Sequence, residues 1–132
     1  MTPQCDVLVV DDEPVVTDAV RLVLRDEGLA VTAVPDAEAA LAHPDLAHCR
    51  LVLCDLMLPG HSGLEALKAM RAMRPDLPIV MITGYATRDH EELVLAAGAT
   101  AFLPKPFDES ELLTLVRHVL SPTDVPPKEP NP

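Results

Sequence analysis

Val7-Leu8-Val9-Val10-Asp11-Asp12-Glu13-Pro14 sets four apolar residues directly against three carboxylates and a proline. An apolar run without polar alternation marks a strand buried on both faces, and such strands belong to parallel sheets. The pattern recurs at Leu51-Val52-Leu53-Cys54, followed by Asp55, and at Ile79-Val80-Met81-Ile82, followed by Thr83. With residues 5–10, 30–34, 51–54, 78–82 and 100–103 as strands, β-branched runs alternate with helix-sized stretches five times.

The intervening stretches carry helical spacing. Val16, Ala19, Val20, Val23 and Leu24 line one face, with Pro14 in the first turn and Gly28 closing the end. Asp36 caps a short helix over residues 37–41. Leu64, Leu67, Met70 and Met73 form the stripe of a third, stopped by Arg74-Pro75. Leu93, Ala96 and Ala97 mark a fourth, running from near Thr87 to Gly98. Leu112, Leu113, Val116, Val119 and Leu120 mark a fifth, capped by Asp108 or Ser110. Five βα units in succession imply a doubly wound α/β sandwich over residues 1–120. Periodicity leaves the strand order open. From 121 to 132 the prolines at 122, 126, 127, 130 and 132 exclude helix and sheet, so a disordered tail or a linker stump is expected there.

Composition narrows the function. A chain of 132 residues makes one domain with a proper core. Apolar residues make up 48%, yet there is no Trp, one Tyr and two Phe, so the core is aliphatic. The longest apolar stretches fall far short of a membrane span. No basic segment followed by an apolar one opens the chain, so a cytoplasmic protein is expected. A net charge of −11 argues against nucleic acid as a direct partner, because phosphate backbones demand Lys and Arg. Cys5, Cys49 and Cys54 lack zinc-type spacing, even with His48 beside them, and read as buried reduced thiols.

In an open α/β sheet, ligands meet the loops at the carboxyl ends of the strands. Those loops hold Asp11-Asp12-Glu13, Asp55, Thr83-Gly84 and Lys105. Asp11, Asp12 and Asp55 repel one another if they meet; protonation relieves this, and a hard divalent cation such as Mg2+ relieves it better. A lysine supplies a point charge for a phosphoryl oxygen, Thr83 can donate a hydrogen bond, and Gly84 lets the loop backbone come close. Such parts stabilise a phosphoryl group in transfer, and an aspartate can hold it as an acyl phosphate. Singly, each has an ordinary alternative: Asp11 or Asp12 as a helix N-cap before Pro14, Lys105 as solvated surface. At four strand ends together they point to a site.

Val7-Leu8-Val9-Val10-Asp11-Asp12-Glu13-Pro14, Leu53-Cys54-Asp55-Leu56-Met57-Leu58-Pro59-Gly60, Met81-Ile82-Thr83-Gly84-Tyr85-Ala86 and Phe102-Leu103-Pro104-Lys105-Pro106-Phe107 resemble the signature segments of two-component receiver domains, the phosphoacceptor domains of response regulators. The resemblance runs from about Cys5 to Leu120. It implies a flavodoxin-like (βα)5 fold with strand order 2-1-3-4-5 and a cis Lys105–Pro106 bond. It implies Asp55 as phosphoacceptor, and Mg2+ held by Asp12, Asp55 and the Met57 carbonyl, with Asp11 acting through a water and Glu13 only nearby. Thr83 and Lys105 would contact the phosphoryl group. Thr83 and Phe102 would form the switch; many members carry Tyr at the second position, and Phe102 has no hydroxyl, so its buried state would rest on packing. Met57 and Tyr85 would flank the site and restrict water.

The implied donor is a phosphohistidine on a histidine kinase or phosphotransfer protein, docking near Pro14, Val15, Val16, Pro106 and Phe107. No histidine of the chain sits in a kinase-like segment, so the chain is an acceptor and a signalling domain, with no enzymatic turnover beyond its own phosphorylation and dephosphorylation. Arg88, Glu91, Glu111 and Arg117 form a charged face that is either a surface for phosphorylation-dependent homodimers or plain solvated surface. A flavin-mononucleotide domain would need a hydroxyl- and glycine-rich first loop, where Asp11-Asp12-Glu13 stands. A haloacid-dehalogenase-type phosphatase would need an Asp where Met57 stands. A degenerate receiver that only binds partners is disfavoured because every site residue is present.

Overall fold

Strands without a polar face must lie between two layers, and the helices supply those layers. The computed structural model describes residues 5–58, 60–84 and 87–120. In chain order these form β1 (Val7–Val10), α1 (Pro14–Asp26), β2 (Val31–Val34), α2 (Ala37–Ala42), a 3-10 turn (Pro44–Ala47), β3 (Leu51–Asp55), β4 (Met57–Leu58), β5 (His61–Ser62), α3 (Gly63–Met73), β6 (Ile79–Thr83), α4 (Arg88–Ala96), β7 (Ala101–Pro104) and α5 (Glu109–Leu120). The five long strands form one sheet in the order β2-β1-β3-β6-β7, with every neighbouring pair parallel. With the separate β4–β5 hairpin set aside, that is the expected order 2-1-3-4-5. The hairpin was not anticipated.

One sheet face buries Val7, Val9, Leu51, Leu53, Val80 and Ile82 against Val20 and Leu24 of α1 and Leu112 and Val116 of α5. The other buries Leu8, Val10, Val52, Cys54, Ile79 and Met81 against α2, α3 and α4, through Ala40, Leu67, Met70 and Val94 among others. The unbroken apolar runs follow directly, because successive side chains serve opposite helical layers. All three cysteines are buried free thiols, and burial pushes Cys49 up to about 11.

Several expectations are corrected. Ala19 and Ala96 are exposed, as are Met73 (55%) and Leu93 (49%). On α4 the buried residue is Val94. One residue is 100° of helix rotation, so choosing between adjacent apolar positions turns the whole face. On α1, Thr17 takes the inward place that Ala19 was expected to share, and its hydroxyl donates to the Pro14 carbonyl at 3.2 Å, which makes its burial tolerable. Residues 5, 6, 30, 78 and 100 lie outside the strands, while Asp55, Thr83 and Pro104 extend them.

Asp36 caps α2 as expected, accepting from Ala39 N at 2.8 Å. Asp108, not Ser110, caps α5: its Oδ1 accepts from Glu111 N at 2.8 Å while Glu111 Oε1 accepts from Asp108 N at 3.0 Å, a reciprocal capping box. Of the residues expected to form a charged face, Arg117 is engaged elsewhere. It reaches across to α1 and makes a two-pronged contact with Glu27 at 2.9 and 3.0 Å, and that pairing raises its own pKa while lowering that of Glu27. Tyr85 and the 121–132 segment lie outside the described residues.

Candidate functional site

Sheet register decides which strand-end residues meet. Val10 pairs with Cys54, so the next residues, Asp11 and Asp55, stand side by side at the strand ends. Asp55 pairs with Ile82, and Thr83 with Pro104, which puts Lys105 one step beyond on the neighbouring strand. Alternation then sorts them. Val9, Leu53 and Leu103 face α1 and α5, and Asp11, Asp55 and Lys105, each two residues on, share that side. Thr83, two residues after Met81, belongs to the other side and is fully buried.

The Lys105 ammonium lies 3.1 Å from Asp11 Oδ2, 2.8 Å from Glu13 Oε1 and 3.1 Å from Asp55 Oδ2. The other Asp55 oxygen accepts from the Met57 N–H at 3.1 Å, so each oxygen of that carboxylate has a fixed donor. Asp11 and Asp55 are buried, and Asp12 is exposed at the mouth. One carboxylate oxygen from each of the three lies within 4.8 Å of the others, the only such acid, histidine or cysteine group among the described residues. They adjoin an open cleft of about 570 Å³ lined by Asp12, Glu13, Asp55, Met57, Gly84 and Lys105.

The electrostatics are those of a site short of positive charge. Burial raises the Asp11 pKa and Asp55 adds to the rise, against the pull of the Glu13 N–H and Lys105. Burial works to discharge Lys105, yet hydrogen bonds to Glu13, Asp55 and Asp11 outweigh it and hold the ammonium well above its ordinary pKa. Cys54, sealed behind the site, is driven far above the usual thiol range by burial and by the charges of Asp55 and Asp11.

Asp11, Asp12, Asp55, Met57, Gly84 and Lys105 therefore come together as expected. The capping alternative for the acidic pair fails. The N-cap of α1 is Glu13, which makes no side-chain cap, and Asp11 Oδ1 accepts from the Glu13 N–H at 2.9 Å. Glu13, expected only nearby, holds the shortest contact to Lys105. Gly84 lines the cleft, and among the described residues a Cβ there would meet Lys105 Cβ at an ordinary 3.9 Å. The glycine that space does require is Gly63: a Cβ on it would strike the Asp55 carbonyl oxygen and come within 2.6 Å of Leu56 Cα. Its N–H donates to the Leu56 carbonyl at 2.7 Å and draws the chain after Asp55 back onto α3. The sequence held a signal for it in Ser62-Gly63-Leu64-Glu65, since Ser62 Oγ accepts from Glu65 N at 3.2 Å. Pro106 is exposed after a cis Lys105–Pro106 bond, and Phe102 is half-buried.

Comparison with known proteins agrees with this geometry. The family model of the response regulator receiver domain matches residues 7–117. The chain is 40% identical over 114 residues to the sensory transduction protein RegX3 of Mycobacterium tuberculosis, an alignment covering 86% of this chain and 50% of RegX3. It thus spans half the length of that relative. Among solved structures, the receiver domain of NtrX from Brucella abortus matches with a TM-score of 0.83 and 35% identity, covering 89% of this chain and 100% of that one. The BeF3-activated DrrB receiver domain matches with a TM-score of 0.82 and 25% identity, covering 90% and 99%. From the four signature segments, the strand order and the family match along most of its length, the chain belongs to the response regulator receiver domain family.

Proposed function

We propose that Asp55 accepts a phosphoryl group from the phosphohistidine of a histidine kinase or histidine phosphotransfer protein, with Mg2+ as the cofactor. The observation that carries this is the approach of Lys105 Nζ to Asp55 Oδ2 at 3.1 Å inside a cluster of three carboxylates. The donor set is hard oxygen throughout, partly buried and open to a cleft, which suits Mg2+ and gives softer metals nothing to prefer. Asp12, Asp55 and the Met57 carbonyl would hold the ion, with Asp11 reaching it through a water. Bound there, Mg2+ would offset charge on the phosphoryl oxygens.

The chain's own residues do the rest. The Met57 N–H and Lys105 hold the two oxygens of Asp55 in place. One Asp55 oxygen bonds to phosphorus as the donor's P–N bond breaks, and the imidazole nitrogen keeps the electron pair of that bond. Lys105 then faces a second phosphoryl oxygen. Thr83 is fully buried and absent from the cleft lining, so its contact with a third oxygen requires it to move toward the rim. Phe102 packs on the same sheet face and is placed to follow, which gives a two-state element that phosphorylation biases.

Docking of the donor is supported by exposed Pro14 and Pro106 and by Val15, which is 82% exposed at the start of α1. Val16 and Phe107 are half-buried and contribute less. Leu22, also exposed, continues the Val15 side of the helix and suits a small transient interface. No helix among the described residues is long and apolar enough to cross a membrane, and the cytoplasm is the compartment we propose. The test is incubation with acetyl phosphate and Mg2+ followed by mass measurement. The wild type should gain one phosphoryl group and Asp55→Asn none; an unmodified wild type, or a modified variant, would sink the proposal. Molecular size before and after phosphorylation tests for a homodimer.

A further inference from the structure

We infer that Glu13 is a built-in competitor of the phosphoryl group, its carboxylate occupying the place on Lys105 that a phosphoryl oxygen takes over; this rests on the phosphoacceptor assignment of Asp55. A lysine ammonium has three N–H donors. Glu13 and Asp55 accept hydrogen bonds from it at 2.8 and 3.1 Å, and Asp11 is ion-paired to it at 3.1 Å. A phosphoryl oxygen arriving at Lys105 must therefore compete with the carboxylates already gathered on it.

The three differ in what withdrawal costs. Asp55 is the attachment point and is pinned by the Met57 N–H. The Asp11 side chain is 2% exposed, so releasing it would leave a buried carboxylate without its counter-charge. The Glu13 side chain is 59% exposed, and water can take over its charge at little cost. Its backbone is fixed as the N-cap of α1 while its side chain caps nothing, so the carboxylate can leave Lys105 without loosening the helix. Glu13 is the group that yields, and while it stays it holds the resting site against small phosphate donors.

The test is the affinity for beryllofluoride, a phosphoryl mimic, titrated in saturating Mg2+ by calorimetry or amide NMR on wild type, Glu13→Gln and Glu13→Asp. Aspartate keeps the charge but is one methylene too short to reach Lys105. Competition predicts that both variants bind beryllofluoride more tightly, by roughly 2- to 5-fold, the range an exposed ion pair supports. Glu13→Asp should keep wild-type affinity for Mg2+ alone. Tighter binding in Glu13→Gln with no change in Glu13→Asp would mean that Glu13 acts only through its charge, and would overturn the inference. Unchanged affinity in both variants would overturn it too. A wild type that binds no beryllofluoride in Mg2+ would instead remove the phosphoacceptor assignment, and the inference with it.

Discussion

The two rims of the sheet both gather charge, and they handle it in opposite ways. At the amino ends of the strands, Arg71 of α3 donates to the carbonyls of Leu77 at 2.6 Å, Pro75 at 3.0 Å and Arg74 at 3.2 Å, and to Gly98 at 2.7 and 3.1 Å. Arg74 donates to the carbonyls of Cys49 at 2.6 Å and Leu46 at 3.0 Å. These partners are neutral carbonyls, and the guanidiniums tie together the loops that carry them. At the carboxyl ends one ammonium serves three carboxylates while a fourth, Asp12, stands beside them. The first rim is satisfied as it stands. The second keeps an excess of negative charge that a cation would relieve, and so stability is concentrated at one end of the strands and binding at the other.

Arg71→Ala is the most severe way to break this contrast. It strips the Leu77 and Gly98 carbonyls of their donor and should cost about 3 kcal/mol in urea unfolding. Phosphorylation by acetyl phosphate should stay near the wild-type rate, because no site residue is touched; a lost reaction in a folded variant would show that the rims are coupled. Gly63→Ala comes next, at about 2 kcal/mol, since the added Cβ strikes backbone that cannot move aside. Unlike Arg71→Ala it should also slow phosphorylation, by displacing Asp55 and Leu56.

Asp11→Asn should act in the other direction, raising the stability of the metal-free protein at pH 7 by about 1 kcal/mol. The folded state raises the Asp11 pKa, so it binds the proton more readily than the unfolded chain does. The associated stability is present at low pH and lost as pH rises past the ordinary carboxylate range. The asparagine variant should therefore exceed the wild type at pH 7 and converge with it near pH 4, when both are followed by urea titration. It should also bind Mg2+ more weakly. The smallest effect is kinetic: Met57→Asn combined with Tyr85→Glu should shorten the life of the acyl phosphate a few-fold by admitting water, with stability little changed. An unaltered decay rate would refute that role for the pair.

Much of this was legible from the chain alone, and the divide follows the range of the forces involved. Strands, helices and the acids, hydroxyl and amine that end the strands were readable because periodicity and chain punctuation are local. So was the chemistry, since Asp11, Asp12, Asp55, Thr83 and Lys105 are what they are in any fold. The rotation of α4 onto Val94 was not, because Leu93 and Val94 are equally apolar and only contact with the sheet distinguishes them. Nor could the chain show that Gly63 abuts Asp55, or that Arg117 turns away to Glu27. The same holds for Lys105, whose nearest carboxylate comes from Glu13, 92 residues earlier. Tertiary structure decided those points, because a contact between distant residues depends on strand register and layer packing, which no short stretch encodes.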